Sequence, residues 1–131
     1  MNKKKLQDYR WLRLNMKKLE DRVLEIESSA TKVTSTISDM PQGGAEQDKA
    51  CAMVVKLSEA REKLLEKQLE ALEGIIAIEK AIEKLDERGK LLVRLHYIEG
   101  MTWERVAVEM NYTWQHLHKI HRNVLEEINR R

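Results

Sequence analysis

The sequence predicts an all-α protein, in which an N-terminal antiparallel helical hairpin precedes a group of shorter C-terminal helices. Three observations predict this class. Charged residues make up 35% of the 131 residues, only one proline and five glycines interrupt the chain, and apolar residues recur with helical spacing over long stretches. Such a composition favours long, solvated helices over sheets.

The first helix is predicted over about residues 4–27. Its apolar residues follow a seven-residue repeat over three heptads, which is typical of a coiled-coil seam. These residues are Tyr9, Leu12, Met16, Leu19, Val23 and Ile26. The following segment is rich in Ser and Thr and ends in Pro41 and the Gly43-Gly44 pair. Because these residue types compete with or break helices, residues of about 28–45 are predicted to form a connecting loop.

A second, longer helix is predicted from about residue 46 to 85, with a kink or break at Gly74, since glycine costs about 1 kcal/mol inside a helix. Its apolar face is wider than one partner helix can cover. Leucines left in water forfeit roughly 2 kcal/mol each, so we expect self-association to bury them. The predicted oligomer interface consists of Leu57, Leu64, Leu65, Leu69 and Leu72.

The pattern of capping and apolar residues in the C-terminal third predicts three short helices with well-defined ends. Asp86, Thr102 and Thr113 each stand where a side-chain oxygen can cap the start of a helix. Asn111 tolerates the left-handed conformation that ends helices, and it lies two residues before the last cap. Two short helices joined by so tight a turn predict a helix-turn-helix.

This segment resembles region 4 of the sigma-70 family. Its motif residues are found here at the start (Leu85, Glu87, Arg88), at the joint (Leu95, Tyr97, Gly100, Thr102), at the turn (Val106, Ala107, Met110) and in the last helix (Thr113, Leu117, Val124, Leu125). Three positions depart from the pattern. Asn111 replaces the usual Gly, Arg105 stands where a Glu commonly completes the capping box, and Trp114 occupies a place often held by a basic residue.

The whole chain is similar to small phage and prophage regulators of the ArpU and RinA type. The resemblance implies a sequence-specific DNA-binding transcriptional regulator with two domains. Residues 1–84 would form the hairpin and oligomerisation region, and residues 85–131 would form the DNA-binding domain. The expected partners are double-stranded DNA, a second copy of the chain as a dimer or higher oligomer, and RNA polymerase.

If the last helix enters a major groove, its early outward residues reach the base edges. The predicted base contacts are Trp114, Gln115, His118 and Lys119. Residues nearer the groove edges would contact phosphates, and these are Thr113, His116, Arg122 and Asn123. The alternative for these side chains is an ordinary solvated helix face.

The three histidines of this helix, His116, His118 and His121, suggest a metal site, but only the last two have ligand spacing and no cysteine is nearby. We therefore expect no metal and no cofactor. Partly protonated histidines beside phosphates are the favoured interpretation, with binding that weakens as the pH rises through about 6 to 7.

Other classes find little support in the sequence. There is no glycine-rich phosphate loop and no nucleophile with a paired base, so the chain is not expected to be an enzyme. The net charge of the whole chain is only +2, but it is unevenly distributed. Residues 1–22 hold eight Lys or Arg and three Asp or Glu, so the first segment is locally basic. A single cysteine, no signal-like segment and no membrane-spanning run predict a cytoplasmic protein without membrane contact.

Two alternative functions remain. A phage small terminase subunit also combines a helix-turn-helix with a helical oligomerisation region, although it usually carries the DNA-binding module first. The other alternative is a protein that does not bind DNA but docks RNA polymerase through its sigma-like module. Binding to random duplex DNA distinguishes the second, because DNA binding must fall steeply with salt whereas apolar docking does not.

Overall fold

The computed structural model describes residues 1–130, and all regular secondary structure in that range is helical, with no strand among those residues. The prediction of an all-α protein is confirmed. Five α-helices are present over these residues: α1 (Lys3–Ser38), α2 (Ala45–Glu83), α3 (Glu87–Val93), α4 (Trp103–Met110) and α5 (Trp114–Asn129). A π-helical segment, Arg94–Ile98, directly continues α3. Arg131, the last residue of the predicted second domain, lies outside the described residues.

The prediction of a loop over residues 28–45 is wrong for most of its length, because α1 continues to Ser38. Residues 39–44 alone connect α1 to α2. The hydroxyl groups that were expected to disrupt the helix each donate a hydrogen bond to the carbonyl four residues earlier, as seen for Thr31, Thr34, Ser35, Thr36 and Ser38. Such bonds accommodate Ser and Thr inside a helix, so their weak propensity did not end it here.

The predicted break at Gly74 is also wrong, since α2 runs unbroken from Ala45 to Glu83. A Cβ atom added at Gly74 would lie 3.4 Å from a Leu12 methyl carbon, an ordinary van der Waals distance. The helix is retained at this position with α1 close by, and the propensity cost of about 1 kcal/mol is small beside the burial of neighbouring Ile75 and Ile78.

The chain divides into two compact units. One comprises Met1–Leu14 and the residues from Leu72 onward, and the other comprises Asn15–Ala71. Residues 1–14 and 72–84, assigned from sequence to the first domain, therefore lie in the same unit as the short helices. The physical reason is burial, since Leu6 and Ile82 are completely buried and Tyr9 is 5% exposed.

In the first unit, most of the core lies in the short C-terminal helices and the end of α2. Its completely or nearly completely buried side chains in these elements are Ile78, Ile82, Leu92, Val93, Val106 and Leu117. In the second unit, buried side chains are few among the described residues: Val23 and Ile26 of α1 are inside, while Leu24, Val55 and Leu69 are more than half exposed. An ion pair between Arg61 and Glu27, 2.8 Å apart, joins α2 and α1 within that unit.

Candidate nucleic-acid interface

The short helices α4 and α5 begin directly after the predicted caps, and α4 ends at the predicted turn residue. The Thr102 hydroxyl accepts a hydrogen bond from the Arg105 N–H at 3.3 Å, and the Thr113 hydroxyl accepts one from the His116 N–H at 3.2 Å. Asn111 adopts φ 57° and ψ 44°, the left-handed conformation, between them. These caps satisfy backbone groups that a helix end leaves free, so local chemistry fixes the starts of α4 and α5 and the end of α4.

The inner face of α5 is fixed by close packing. Leu117, Val124 and Ile128 are all at most 4% exposed. Gly89 of α3 lies so near that an added Cβ atom would be 3.0 Å from a Val124 methyl carbon and 3.0 Å from the capping carboxylate of Asp86. A larger residue at Gly89 would push α3 and α5 apart, so the two helices are in close contact here. This contact fixes the orientation of α5 on α3, and with it the direction in which the outer face of α5 points.

Of the four predicted base-contacting residues, three are exposed on this outer face. Trp114 is 53% exposed, and Gln115 and Lys119 are also exposed. His118 is only half-buried, because its ring lies between two tryptophans. The ring centroids of Trp114 and His118 are 3.9 Å apart in an edge-on arrangement, and those of Trp103 and His118 are 5.9 Å apart.

The four predicted phosphate-contacting residues, Thr113, His116, Arg122 and Asn123, are all exposed. Three of them divide between two sides of α5. Arg122 lines a groove of about 730 Å³ together with Gln115 and Lys119. His116 and Asn123 line a second groove of about 520 Å³, which Lys119 also borders.

The larger groove is defined by residues of α5, Trp103 of α4 and the first residue of α1, and we call it the α5 groove. Among the described residues that line it, none is acidic; they are Lys3, Trp103, Trp114, Gln115, His118, Lys119, His121, Arg122 and Leu125. Three cations, hydrogen-bonding groups and an exposed aromatic ring thus share one concave surface. These groups suit the negative backbone and the base edges of a nucleic acid.

Sequence reasoning missed three cations beside α5. Lys3 lines the α5 groove, and Lys84 and Arg88 line the second groove. Lys3 is more than 100 positions from α5 in the chain, so no local pattern relates them. A net-positive first segment was the available signal, and it does not say where that charge lies.

The interpretation of the three histidines as phosphate neighbours is wrong for His121. Its side chain is buried, with Nε2 2.6 Å from the Tyr97 hydroxyl oxygen and the ring 4.5 Å from the Trp103 centroid. Burial, reinforced by the positive charge of Lys3, lowers the pKa of His121 to about 4. The ring is therefore neutral at pH 7 and belongs to the core.

The π-helical segment supplies the partners of this buried ring. Tyr97 is 4% exposed, and burial raises the pKa of its hydroxyl to about 12, so it stays protonated. His96 stacks on Trp103 with a centroid separation of 3.7 Å, and its Nδ1 is 2.8 Å from the Met101 carbonyl oxygen. These rings form a layer beneath the exposed part of α5.

Other kinds of site find no geometric support in the described part of the chain. No group of three or more His, Cys, Asp or Glu side chains within residues 1–130 is arranged to hold a metal ion. None of the helices described here combines the length and the apolar character needed to cross a membrane.

Comparisons with protein-family models, curated proteins and solved structures find no match to this chain.

Proposed function

We propose that this chain is a sequence-specific DNA-binding transcriptional regulator of phage or prophage origin that acts as a homo-oligomer. The reader would be a helix-turn-helix formed by α4, the turn at Asn111 and α5. The observation that carries the proposal is the outer face of α5. It bears Gln115, Lys119 and Arg122 around a groove whose described lining is free of acid, on a helix fixed by a buried inner face.

The exposed side chains of α5 have the chemistry required to read bases. Gln115 has both a donor and an acceptor and can pair with the N6 and N7 positions of adenine, whereas Lys119 can donate to N7 or O6 of guanine. Trp114 presents an apolar ring that can cover a thymine methyl group. A good contact of this kind discriminates between bases by about 1 to 3 kcal/mol.

Phosphate contacts would come from both sides of the same helix. Arg122 lies on the side of the α5 groove, and His116 and Asn123 lie on the side of the second groove. Lys84 and Arg88 also line that second groove, beside the acidic Asp86 and Glu127. A helix inserted into a major groove has a phosphate backbone along each edge, and cations on both flanks favour this placement.

The oligomer is supported by the poor burial of the predicted interface leucines. Leu57 and Leu64 are half-buried, and Leu65, Leu69 and Leu72 are 36%, 56% and 37% exposed. Pairing of α1 and α2 as an antiparallel hairpin, with the Arg61–Glu27 ion pair between them, would leave this apolar strip for a second copy. Two copies would carry two readers, which raises affinity through effective concentration.

Selection of bound fragments from a random duplex library tests the proposal. We expect the wild-type protein to enrich a defined motif. Gln115→Ala and Lys119→Ala should still bind DNA but lose preference at one or two positions each, because each removes one base contact. Lys18→Ala, which removes a lysine of α1 that lines neither groove, should select the wild-type motif.

Two outcomes would overturn this assignment. Unchanged selection by both α5 variants would show that the helix does not read bases. Absence of salt-dependent DNA binding, combined with capture of RNA polymerase, would favour the docking protein instead. An assembly of eight or more subunits, measured by light scattering, would favour the small terminase subunit.

A further inference from the structure

The α5 groove is shared between α5 and the first turn of α1. Lys3, the first residue of α1, lines the groove with Lys119 and Arg122, and its charge contributes to lowering the pKa of both His96 and His121. The side chain of Lys3 is exposed. A cation from the start of the chain is therefore held at the edge of the surface that is proposed to bind DNA.

The position of this turn is fixed by several contacts within the same unit. Asn2 caps α1 by accepting a hydrogen bond from the Lys5 N–H at 3.1 Å. Leu6, one turn after Lys3, is completely buried. Lys3 precedes Leu6 by three residues, so the two lie on the same side of α1. Burial of Leu6 therefore holds Lys3 close to the short C-terminal helices of the same unit.

A partly buried hydrogen-bond network holds the next turns of α1 in place. The Tyr9 hydroxyl donates to Glu79 Oε1 at 2.6 Å, and Arg94 donates to Glu79 Oε2 at 2.9 Å. The Arg94 guanidinium holds the pKa of the Glu79 carboxyl below its usual value, so the acceptor is charged at neutral pH. Arg10 packs against Gly100, where an added Cβ atom would be 2.6 Å from Nη1 of the arginine.

Charge indicates what Lys3 would bind. The groove that it borders has further cations and no acid among its described lining residues, so Lys3 has no carboxylate partner there. Clustering like charges is unfavourable unless an anion brings them together. Lys3 is an exposed lining residue of the groove on α1, outside the base-reading positions of α5, and a phosphodiester passes beside a helix that lies in the major groove.

We propose that Lys3 makes a DNA-phosphate contact, so that the first turn of α1 is a part of the DNA-binding surface in addition to its role in the fold. This inference rests on the proposed function. It assigns to the long N-terminal helix a direct role in binding, with phosphate of duplex DNA as the ligand. The contact would position the protein and would not select sequence.

The test is a salt titration of binding to a random-sequence duplex, using the full chain. Log K falls linearly with log salt concentration, and each lost phosphate contact makes this fall less steep, reducing the magnitude of the slope by about 0.9. We expect Lys3→Gln to reduce the slope by this amount for each bound protomer and to weaken binding roughly two- to fivefold at low salt. Lys3→Arg should retain the wild-type slope, since it keeps the charge.

Two controls separate this inference from the proposed function. Arg122→Gln, in the same groove, should lower the slope, and Lys18→Gln, on the same helix but outside the groove, should leave it unchanged. Motif selection by Lys3→Gln should match that of the wild type.

A wild-type slope for Lys3→Gln alongside a lowered slope for Arg122→Gln would overturn the Lys3 contact and leave the DNA-binding function standing. A wild-type protein that does not bind duplex DNA would overturn both. An altered motif for Lys3→Gln would also contradict the inference, because a phosphate contact carries no base preference.

Discussion

The two compact units of this protein differ in how far they bury their apolar side chains. In the unit that contains α3, α4 and α5, short helices with side-chain caps enclose a core in which Leu92 and Val106 are fully buried. In the unit of residues 15–71, two helix segments leave Leu24 and Leu69 more than half exposed. The first arrangement supports a surface of fixed shape, and the second leaves apolar side chains exposed.

This difference matters for function because reading bases and assembling copies have opposite requirements. A reader must hold side chains such as Gln115 and Lys119 in place before DNA arrives, which needs a packed support. An assembly surface needs exposed leucines that become buried only when two copies meet.

The same substitution should have very different effects in the two units. Leu117→Ala removes a side chain that is 1% exposed beneath α5, and we expect it to lower the free energy of unfolding by about 2 to 5 kcal/mol. Leu24→Ala, at a site that is 63% exposed, should cost less than about 0.5 kcal/mol. Urea denaturation measures both, and equal losses would contradict the contrast.

Acid should weaken the unit that contains His121. Its pKa is about 4 in the folded protein and about 6.5 when unfolded, so the unfolded state binds more protons between these values. The stability is fully present above about pH 6.5 and is lost as the pH falls towards 4, by roughly 3 kcal/mol in total.

Comparison with His121→Gln isolates this effect, since carboxylates such as Glu79 titrate in both proteins. Urea denaturation at several pH values between 6.5 and 4 should show a flatter dependence for the variant. Parallel curves for the two proteins would show that His121 is not held neutral by the core.

Assembly should depend on the exposed leucines of α2. The double variant Leu65→Glu with Leu69→Glu places two charges on the predicted interface, and burial of an unpaired charge is strongly unfavourable. We expect association between copies to weaken at least about tenfold, measured by light scattering over a dilution series. A matched change at Leu24, which is exposed but outside the predicted interface, should leave the molar mass unchanged. A monomeric wild-type protein at micromolar concentration would contradict the assembly model.

The smallest effect concerns the cap of α5. Thr113→Ala removes the hydroxyl that accepts from the His116 N–H and should cost about 1 kcal/mol. Thr113→Ser keeps an acceptor and should cost less. Thermal unfolding followed by circular dichroism compares the two, and equal melting temperatures would show that the cap contributes nothing.

Local chemistry explains which parts of the fold were predictable. Asp86, Thr102 and Thr113 were identified as caps from sequence because a cap depends on residues within one turn, and all three cap helices as expected. Asn111 was identified as the turn residue for the same reason. The end of α1 was not predictable from propensity, because hydroxyl bonds such as that of Thr31 to the Glu27 carbonyl keep Ser and Thr helical.

The candidate site was predictable only where it depends on α5 alone. The exposure of Gln115, Lys119 and Arg122 follows from the spacing of apolar residues on the opposite face. His121 was misjudged, although it is four residues after Leu117 and three before Val124 and therefore shares their inner stripe. Lys3 required the three-dimensional structure, since its approach to α5 depends on long-range packing of α1.

The most direct test of the central claim is the binding of the wild-type chain to a random duplex between about 50 and 200 mM salt, followed by fluorescence anisotropy. The DNA-binding account predicts a linear fall of log K with log salt, with a slope of about 0.9 for each phosphate contacted. Six or more contacts would lower the affinity about a thousandfold or more over this range. No binding at 50 mM salt, or an affinity that does not change with salt, would contradict the account.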